Sequence, residues 1–234
     1  IMVHSSSHTV SPHTFAKLPF DTIADFTPIT PISSTPNVLV ISPSKNIRTL
    51  QELLAYGRAN PGKLNFASAG QGSATHLNAE KFKLAAKIDA TNIPFKGSAE
   101  AVTEVMAGRV DFTCMGLGSA LAFIRDGKLV PIAVSTPKRS PALPNVPTSI
   151  EAGLPNSDYI FWMGLFAPAK TPRAIIDRLH AETQKVLALP AVQDRFKPQG
   201  IEPMPLSPAE FDALVKREVE ANKALAKAAG LKFN

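Results

Sequence analysis

Apolar β-branched stretches and amphipathic stretches alternate along most of this chain, and this alternation constrains its fold more than any other feature. Five segments have strand character: NVLVIS (37–42), KLNFAS (63–68), DATNIPF (89–95), RVDFTCM (109–115) and KLVPIAVS (128–135). Helical stretches fill the intervals between them. Strands that alternate with helices at this spacing are typical of βαβ units. The pattern therefore predicts an α/β fold with parallel sheets and helices on both faces.

Capping signals locate the helices. We predict helices over 49–60, 73–86, 99–108, 119–127, 171–188 and 207–230. Thr49 and Glu52 form a predicted capping box at the start of the first. Ser73, Ser98 and Ser207 are predicted N-caps, because a serine hydroxyl accepts a hydrogen bond from an N–H of the first helical turn. The 21 prolines, as in TPITPISSTP, are expected to separate many short elements.

Charge and composition exclude several classes of protein. The net charge is +6, but the basic residues are scattered and no basic stripe is interleaved with aromatic residues, so we do not expect nucleic-acid binding. The lone cysteine, Cys114, lies in an apolar run and is predicted to be a buried hydrophobic residue. No pattern of His and Cys indicates a metal site, and no cofactor is predicted.

The chain is predicted to form two domains. Two extended apolar runs, 37–42 and 160–169, bracket the βαβ-rich middle. This arrangement is expected when a chain leaves one domain, builds a second and returns through two hinge-like crossings. The opening IMVHSSS resembles the middle of a strand, so we expect further residues upstream. No stretch reaches the ~18–20 apolar residues of a membrane span, and no signal peptide is recognised.

The stretch SAGQGSATHL, residues 68–77, is the strongest site candidate. A strand ends at Ser68, flexible Gly70 and Gly72 follow, and a helix then begins with unpaired N–H groups. Such a helix start binds carboxylates without an arginine. A hydrolase with Ser73 and His76, a nucleotide site and a capped turn without a ligand are the alternatives. The nucleophile elbow and P-loop spacings are both missing.

Two further loops also place polar residues directly after a strand end. PFKGSAEA (94–101) places Lys96 and Gly97 between a strand and a helix start, where Lys96 adds a positive charge. HSSSHT (4–9) is a polar loop after a strand end, and its serines are candidate hydrogen-bond donors.

Four blocks of the chain together resemble the periplasmic substrate-binding receptors of tripartite tricarboxylate transporters, the Bug receptors. They are NPGKLNFASAGQGSATHLNAEKF, IPFKGSAEAVTEVMAGRVDF, GKLVPIAVSTPKRSPALPNVPTSIEAGLP and FWMGLFAPAKTP. The resemblance implies a non-enzymatic, periplasmic protein with a two-lobed, type II-like Venus flytrap architecture. Such a receptor captures a small carboxylate between its lobes and presents it to membrane permease subunits. The implied lobes are 1–41 with 163–234 (lobe I, expected to be incomplete at its N-terminus) and 42–162 (lobe II).

The resemblance also implies ligand-binding residues. These are Ser5, Ser6, Ser68, Ala69, Gly70, Gln71, Gly72, Ser73, His76, Lys96, Gly97 and Gly116. Relatives commonly carry an acidic residue in the block that reads MGLGSA here, at 115–120. Without a partner for a ligand ammonium, a dicarboxylate or an aromatic carboxylate is expected rather than an amino acid. A shortened receptor that cannot bind is a further alternative.

Overall fold

The computed structural model describes residues 1–231, apart from the side chains of Ser6 and Ser7. The described residues form nine strands: β1 (Met2–His4), β2 (Phe26–Thr35), β3 (Asn37–Ile41), β4 (Leu64–Ser68), β5 (Ala90–Pro94), β6 (Phe112–Gly116), β7 (Val130–Val134), β8 (Phe161–Pro168) and β9 (Glu202–Pro203). They also form nine α-helices: α1 (Ser5–Thr9), α2 (Ser11–Thr14), α3 (Leu50–Ala59), α4 (Ala74–Ala86), α5 (Ser98–Met106), α6 (Leu117–Arg125), α7 (Arg173–Leu187), α8 (Pro190–Phe196) and α9 (Pro208–Ala228).

The chain divides into two compact units. The first contains Ile1–Thr35 together with the chain from Phe161 onward, and the second contains Pro36–Ile160. The chain therefore passes between the units twice, once on either side of the second unit. None of the helices described within residues 1–231 is long and apolar enough to cross a bilayer.

The sheet of the second unit has five strands in the order β5-β4-β6-β3-β7. Strand β4 is parallel to both β5 and β6, as the alternation of strands and helices predicts. Strand β3 runs antiparallel to β6 and β7, so the prediction of a wholly parallel sheet is wrong for this strand. The chain enters the unit through β3, and no preceding strand and crossover helix within the unit set its direction.

Alternation along the strands divides the core of this unit into two clusters. Leu39 and Ile41 of β3 lie in one cluster with residues of α3 and α4. Val38 and Val40 lie in the other with residues of α5 and α6. Since successive side chains of a strand point to opposite faces, helices cover both faces of the sheet, as predicted.

Most predicted helix starts are confirmed. Thr49 and Glu52 form the capping box of α3, and Ser207 with Glu210 forms that of α9. Ser73 is the N-cap of α4, where its hydroxyl accepts a hydrogen bond from the N–H of His76.

The sheet of the first unit is antiparallel throughout, in the order β1-β8-β2-β9. The prediction that the prolines of TPITPISSTP separate short elements is wrong, because Pro28 and Pro31 lie inside the ten-residue strand β2. Each stands next to a shift in the pairing register with β8. Proline lacks an N–H donor and is tolerated in a strand where a bulge interrupts the hydrogen-bond ladder.

Aromatic side chains fill the core of the first unit. Trp162 and Phe166 of β8 pack against Phe211 of α9, and all three are buried. The neighbouring residue Ala167 packs in a separate cluster with Ile176 of α7. Because Phe166 and Ala167 are adjacent in one strand, α9 and α7 cover opposite faces of this sheet.

Candidate functional site

Three strands of the second unit end at one edge of its sheet. Parallel pairing brings Ser68 at the end of β4 opposite Pro94 at the end of β5. Strand β6 ends at Gly116, which pairs with Asn37 at the beginning of the antiparallel β3. Helices α4, α5 and α6 follow these three strand ends. Ligands of open α/β sheets bind at the carboxyl ends of the strands, so this edge is the candidate site.

The loop between β4 and α4 is held by short-range hydrogen bonds. Ser68 is buried, and its hydroxyl donates to the carbonyl of Gly70 at 3.3 Å. The N–H of Ala69 donates to Thr75 Oγ1 at 2.9 Å. The backbone of Gly70 has φ +119° and that of Gly72 has φ +69°. Side chains disfavour these values, and the two glycines allow this tight loop to form.

The same loop leaves N–H groups unpaired. Within the part of the chain that the structure describes, the N–H groups of Gly70 and Gln71 donate to no protein acceptor. Gln71 is exposed, and Gly70 and Ser73 are half-buried. The first N–H groups of α4 have no intrahelical acceptor, because the first turn of any helix leaves them free. This loop can therefore present several main-chain donors to an anion.

His76 lies beneath the loop. Its ring is only 2% exposed, and Nδ1 accepts a hydrogen bond from the N–H of Gly72 at 3.1 Å. Nε2 lies 3.8 Å from Glu80 Oε1. Burial, followed by the positive charge of Lys83, lowers the pKa of His76 to about 4. The ring is therefore neutral near pH 7, and it faces the protein interior rather than the solvent.

Ser73 and His76 do not form a nucleophile–base pair. The Ser73 hydroxyl accepts from the N–H of His76 at 3.3 Å and lies 3.0 Å from Thr75 Oγ1. Neither ring nitrogen of His76 is hydrogen-bonded to Ser73, because Nδ1 accepts from Gly72 and Nε2 faces Glu80. A hydrolase needs a hydrogen bond between the nucleophile and its base, and these two side chains do not provide it.

The second loop contacts the first. The N–H of Phe95 donates to the carbonyl of Ser68 at 2.9 Å. Lys96 is exposed, but its N–H donates to Glu100 Oε2 at 3.1 Å. This edge therefore already contains one carboxylate, at the start of α5.

The predicted N-cap of α5 is wrong. Gly97 occupies that position, and Ser98 is the first helical residue and makes no capping hydrogen bond. Glu100, in the third helical position, instead reaches back past the helix start to Lys96. A short, flexible residue at the cap is sufficient here because this carboxylate fixes the preceding backbone.

Gly116 is half-buried and is the N-cap of α6. The N–H of Leu117 donates to the carbonyl of Pro36 at 2.8 Å and is therefore not available to a ligand. This third helix start contributes fewer free donors than the loop before α4.

The serines near the N-terminus lie in a helix, so the prediction of a polar loop over 4–9 is wrong. Ser5 is the first residue of α1 and is buried, and its hydroxyl accepts from the N–H of Trp162 at 3.3 Å. Thr9 Oγ1 donates back to the carbonyl of Ser5 at 3.0 Å, a bond that fits inside a helical turn. The predicted contribution of Ser6 rests on a side chain outside the described part.

Two polar residues of this edge were missed by the sequence analysis. Asn37 is fully buried, and its Nδ2 donates to the carbonyl of Tyr159 at 2.8 Å. Thr75 supports the loop through the N–H of Ala69. A single polar residue before the apolar run VLVI was the only sequence signal for Asn37.

The described residues at this edge do not favour a metal site or a reactive thiol. Among residues 1–231, no group of three or more His, Cys, Asp or Glu side chains could hold a metal ion. Cys114 is fully buried, and burial raises the pKa of its thiol far above the ordinary value. The prediction of a buried cysteine is confirmed.

Comparison with known proteins identifies the family. The tripartite tricarboxylate transporter family receptor, TctC, matches residues 1–231. The UPF0065 protein in the tcbD-tcbE intergenic region of Pseudomonas sp. (strain P51) is 35% identical over 221 residues, which are 94% of this chain and 66% of that protein. Protein BugT of Bordetella pertussis (strain Tohama I) is 30% identical over 92% of this chain and 66% of its own length. The chain thus spans just under two thirds of these relatives.

Solved structures agree with this result. R. palustris Rpa4515 with adipate has a TM-score of 0.88 at 29% identity, and the match covers 99% of this chain and 78% of that one. MatC (Rpa3494) from Rhodopseudomonas palustris with bound malate has a TM-score of 0.82 at 29% identity, covering 96% and 77%. The two α/β units accordingly have the two-lobed fold of periplasmic binding proteins. The chain belongs to the TctC family of tripartite tricarboxylate transporter receptors, the Bug receptors.

Proposed function

We propose that this chain is a solute-binding protein that binds a small organic carboxylate through main-chain N–H groups. The observation that carries the proposal is the exposed loop before α4, where the N–H groups of Gly70 and Gln71 have no acceptor among the described residues. These groups lie next to the start of α4, where the helix dipole favours negative charge. Lys96 adds a positive charge on the neighbouring loop.

The binding free energies expected from these groups are large enough for the affinity of a receptor. A hydrogen bond to a charged group contributes about 1.5–3 kcal/mol, and a helix dipole adds about 0.3–1 kcal/mol, or up to about 2 when partly buried. Micromolar affinity needs about 8 kcal/mol. Two or three bonds from this loop, together with similar bonds from the other lobe, supply that amount.

Dicarboxylates and aromatic carboxylates are the proposed ligands. The structure of Rpa4515 is with adipate and that of MatC is with bound malate, and both acids are dicarboxylates. The segment 115–120, MGLGSA, offers no acidic side chain to an ammonium group. We therefore expect aspartate to bind more weakly than succinate.

The proposal includes the wider role of the family. Lobe I (1–41 and 163–234) and lobe II (42–162) close around the ligand in the periplasm, and the loaded receptor delivers it to permease subunits in the membrane. The two passages of the chain between its units support a division of this kind, but residues 36–41, with strand β3, belong to the second unit and residues 161–162 to the first. The twelve residues named from the resemblance are the proposed ligand-binding set. Within it, Ser68, Ser73 and His76 act by shaping the loop.

Isothermal titration calorimetry with succinate, adipate, malate, benzoate, citrate and aspartate tests the proposal. Gln71→Glu places a negative charge on the exposed loop and is expected to weaken carboxylate binding about tenfold or more. Gln51→Glu makes the same charge change on the exposed face of α3 and is expected to leave binding unchanged. If no acid binds the wild-type chain, the proposal fails. Equal binding by wild type and Gln71→Glu would exclude this loop as the site.

The hydrolase alternative has its own test. A panel of small esters is incubated with the wild-type chain and with Ser73→Ala. A receptor gives no turnover with either protein. Turnover that the substitution abolishes would establish a hydrolase, and the receptor proposal would be wrong.

A further inference from the structure

We infer that His76 is a positioning residue for the ligand loop, which it holds in the binding conformation without touching the ligand. This inference rests on the proposed function and extends it to a residue beneath the site. The hydrogen bond from the N–H of Gly72 to His76 Nδ1 (3.1 Å) runs from the loop to a ring that is 2% exposed. Gly72 lies next to Gln71, whose N–H is one of the proposed ligand donors.

The hydrogen bond fixes the tautomer of the ring. Since Nδ1 accepts from Gly72, the proton of the neutral ring is on Nε2. Nε2 is directed towards Glu80, with 3.8 Å between Nε2 and Oε1. The Glu80 carboxylate pairs with Lys83, whose Nζ lies 2.9 Å from Oε2. The same tautomer therefore accepts from the loop above the ring and directs its N–H towards the carboxylate below it, at a distance longer than a hydrogen bond.

Helical spacing builds this chain of contacts. His76, Glu80 and Lys83 are at positions i, i+4 and i+7 of α4, so they share one face of the helix. Lys83 Nζ also donates to the carbonyl of Ala90 at 3.2 Å, at the beginning of β5. The loop is thereby connected through α4 to the strand that leads to the second loop of the site.

Aromatic side chains pack against the imidazole ring. Its centroid lies 5.9 Å from that of Phe66 of β4, and Phe66 in turn packs against Phe112 of β6. Glu80 and Lys83 are the charged groups that face the ring, and the buried Cys114 thiol of β6 remains neutral because burial raises its pKa. Burial thus protects the neutral form of the ring, the form in which Nδ1 accepts the loop N–H.

Protonation of the ring would release the loop. A doubly protonated imidazole has a donor at Nδ1, so it cannot accept the N–H of Gly72. The loop then loses the contact that fixes its backbone next to Gln71. Ligand affinity is therefore expected to fall as the pH decreases towards 4, by more than the titration of the ligand alone explains.

Variants of His76 distinguish a role in positioning the ligand loop from a role in the overall stability of the fold. His76→Asn places an amide oxygen close to the position of Nδ1 and retains an acceptor for Gly72. His76→Leu fills the space but removes the acceptor. His180→Asn, on α7 of the first unit, is the matched control for the loss of a histidine.

Two measurements on these proteins test the inference. Adipate affinity by calorimetry at pH 7.5 is expected to fall about tenfold in His76→Leu, since an unmade hydrogen bond of about 1–1.5 kcal/mol corresponds to this factor. It is expected to stay within about threefold in His76→Asn and to be unchanged in His180→Asn. Amide hydrogen exchange at Gly72, read by NMR, is expected to be at least about tenfold faster in His76→Leu than in wild type.

The dependence of affinity on pH is a further test. Between pH 7 and pH 4 the affinity of wild type is expected to fall about twofold further than that of His76→Asn, because about half of the rings are protonated at pH 4 and the asparagine has no ring to protonate. A folded His76→Leu protein with wild-type affinity, or identical pH profiles for wild type and His76→Asn, would overturn the inference. If the wild-type chain binds no carboxylate, the proposed function fails, while the exchange rate at Gly72 still decides whether His76 holds the loop.

Discussion

Gly164 in strand β8 is a position where one methyl group is expected to destabilise the first unit. The residue pairs with Val3 on one side and Pro31 on the other, so it lies in the middle of the sheet. A Cβ atom added there would lie 2.9 Å from Phe211 Cε1 and closer still to Cζ of the same ring. It would also lie 3.1 Å from Trp162 Cζ3. Glycine is required here by space, since its backbone is that of an ordinary strand.

The aromatic cluster around Gly164 has little freedom to move. Phe211 is fully buried, and its ring packs edge-to-face on Trp162 with 5.0 Å between centroids. The distance from Phe211 to Phe166 is also 5.0 Å. Overpacking of such a core destabilises by about 1–3 kcal/mol. The close contacts with the Phe211 ring place the overpacking cost near the upper end of this range. Alanine recovers about 0.5–1 kcal/mol relative to glycine in a strand, so Gly164→Ala should destabilise by about 2 kcal/mol in total.

Urea denaturation followed by tryptophan emission measures this effect directly. Trp162 is the only tryptophan of the chain, so its emission follows the unfolding of the first unit. With a slope of about 2 kcal/mol per molar urea, the midpoint should fall by about 1 M. In a Phe211→Leu background the shorter side chain leaves room for the methyl group, and the penalty should largely disappear. A variant as stable as wild type, or an equal penalty in both backgrounds, would refute the steric argument.

Three further predictions follow from single features. Ser207→Ala removes the hydroxyl that accepts from the N–H of Glu210, and urea denaturation should show a loss of about 1 kcal/mol; an unchanged midpoint would contradict the role of this cap. Cys114 should not react with a thiol reagent in the native protein and should react on unfolding, so rapid native labelling would contradict its burial. Burial lowers the pKa of His8 and of His76 to about 4, so the folded state excludes protons that the unfolded chain binds below about pH 6.5. The free energy of unfolding should therefore fall as the pH decreases from 6.5 to 4, and equal urea midpoints at pH 7 and pH 4.5 would contradict this.

Helix starts were predictable because their signals are local. The capping boxes of Thr49 with Glu52 and of Ser207 with Glu210 each lie within four residues, and both form as predicted. Ser98 shows the limit of this reasoning. The helix begins one residue earlier than predicted, so Ser98 is its first helical residue and Gly97 is the N-cap, while Glu100 accepts from the N–H of Lys96. The sequence contains no indication of this one-residue shift.

Strand direction and strand prolines depend on contacts between distant segments. The antiparallel direction of β3 follows from its pairing with β6 and β7, which lie some 70–95 residues further along the chain. Pro28 and Pro31 are accommodated by register shifts against β8, a strand more than 130 residues away. A proline in the sequence indicates only that one N–H is missing from the hydrogen-bond ladder. Whether a bulge accommodates it depends on the pairing with the partner strand.

The sequence predicted the position of the candidate ligand loop. It did not predict the directions in which the side chains of this loop and of α4 point. The glycines of SAGQGSATHL predict a close backbone turn before a helix, and Gly70 and Gly72 have the positive φ values that such a turn requires. The direction of the His76 ring depends on the pocket beneath it, which Phe66 and Glu80 form with residues from the rest of the unit. A pattern of residue types contains no information about that pocket.

The carboxylate of Glu100, which accepts from the N–H of Lys96, makes the start of α5 a place where one anion is already resident. An incoming acid that reached this helix start would have to displace a carboxylate tethered to the same chain, and such a tether gives an effective concentration of millimolar order. Ligand selectivity at this helix start therefore depends on how much more strongly the ligand carboxylate binds there than the carboxylate of Glu100. The Glu100 carboxylate thus competes with any ligand for the N–H of Lys96. Replacing Glu100 by glutamine would therefore change which anions bind at this helix start.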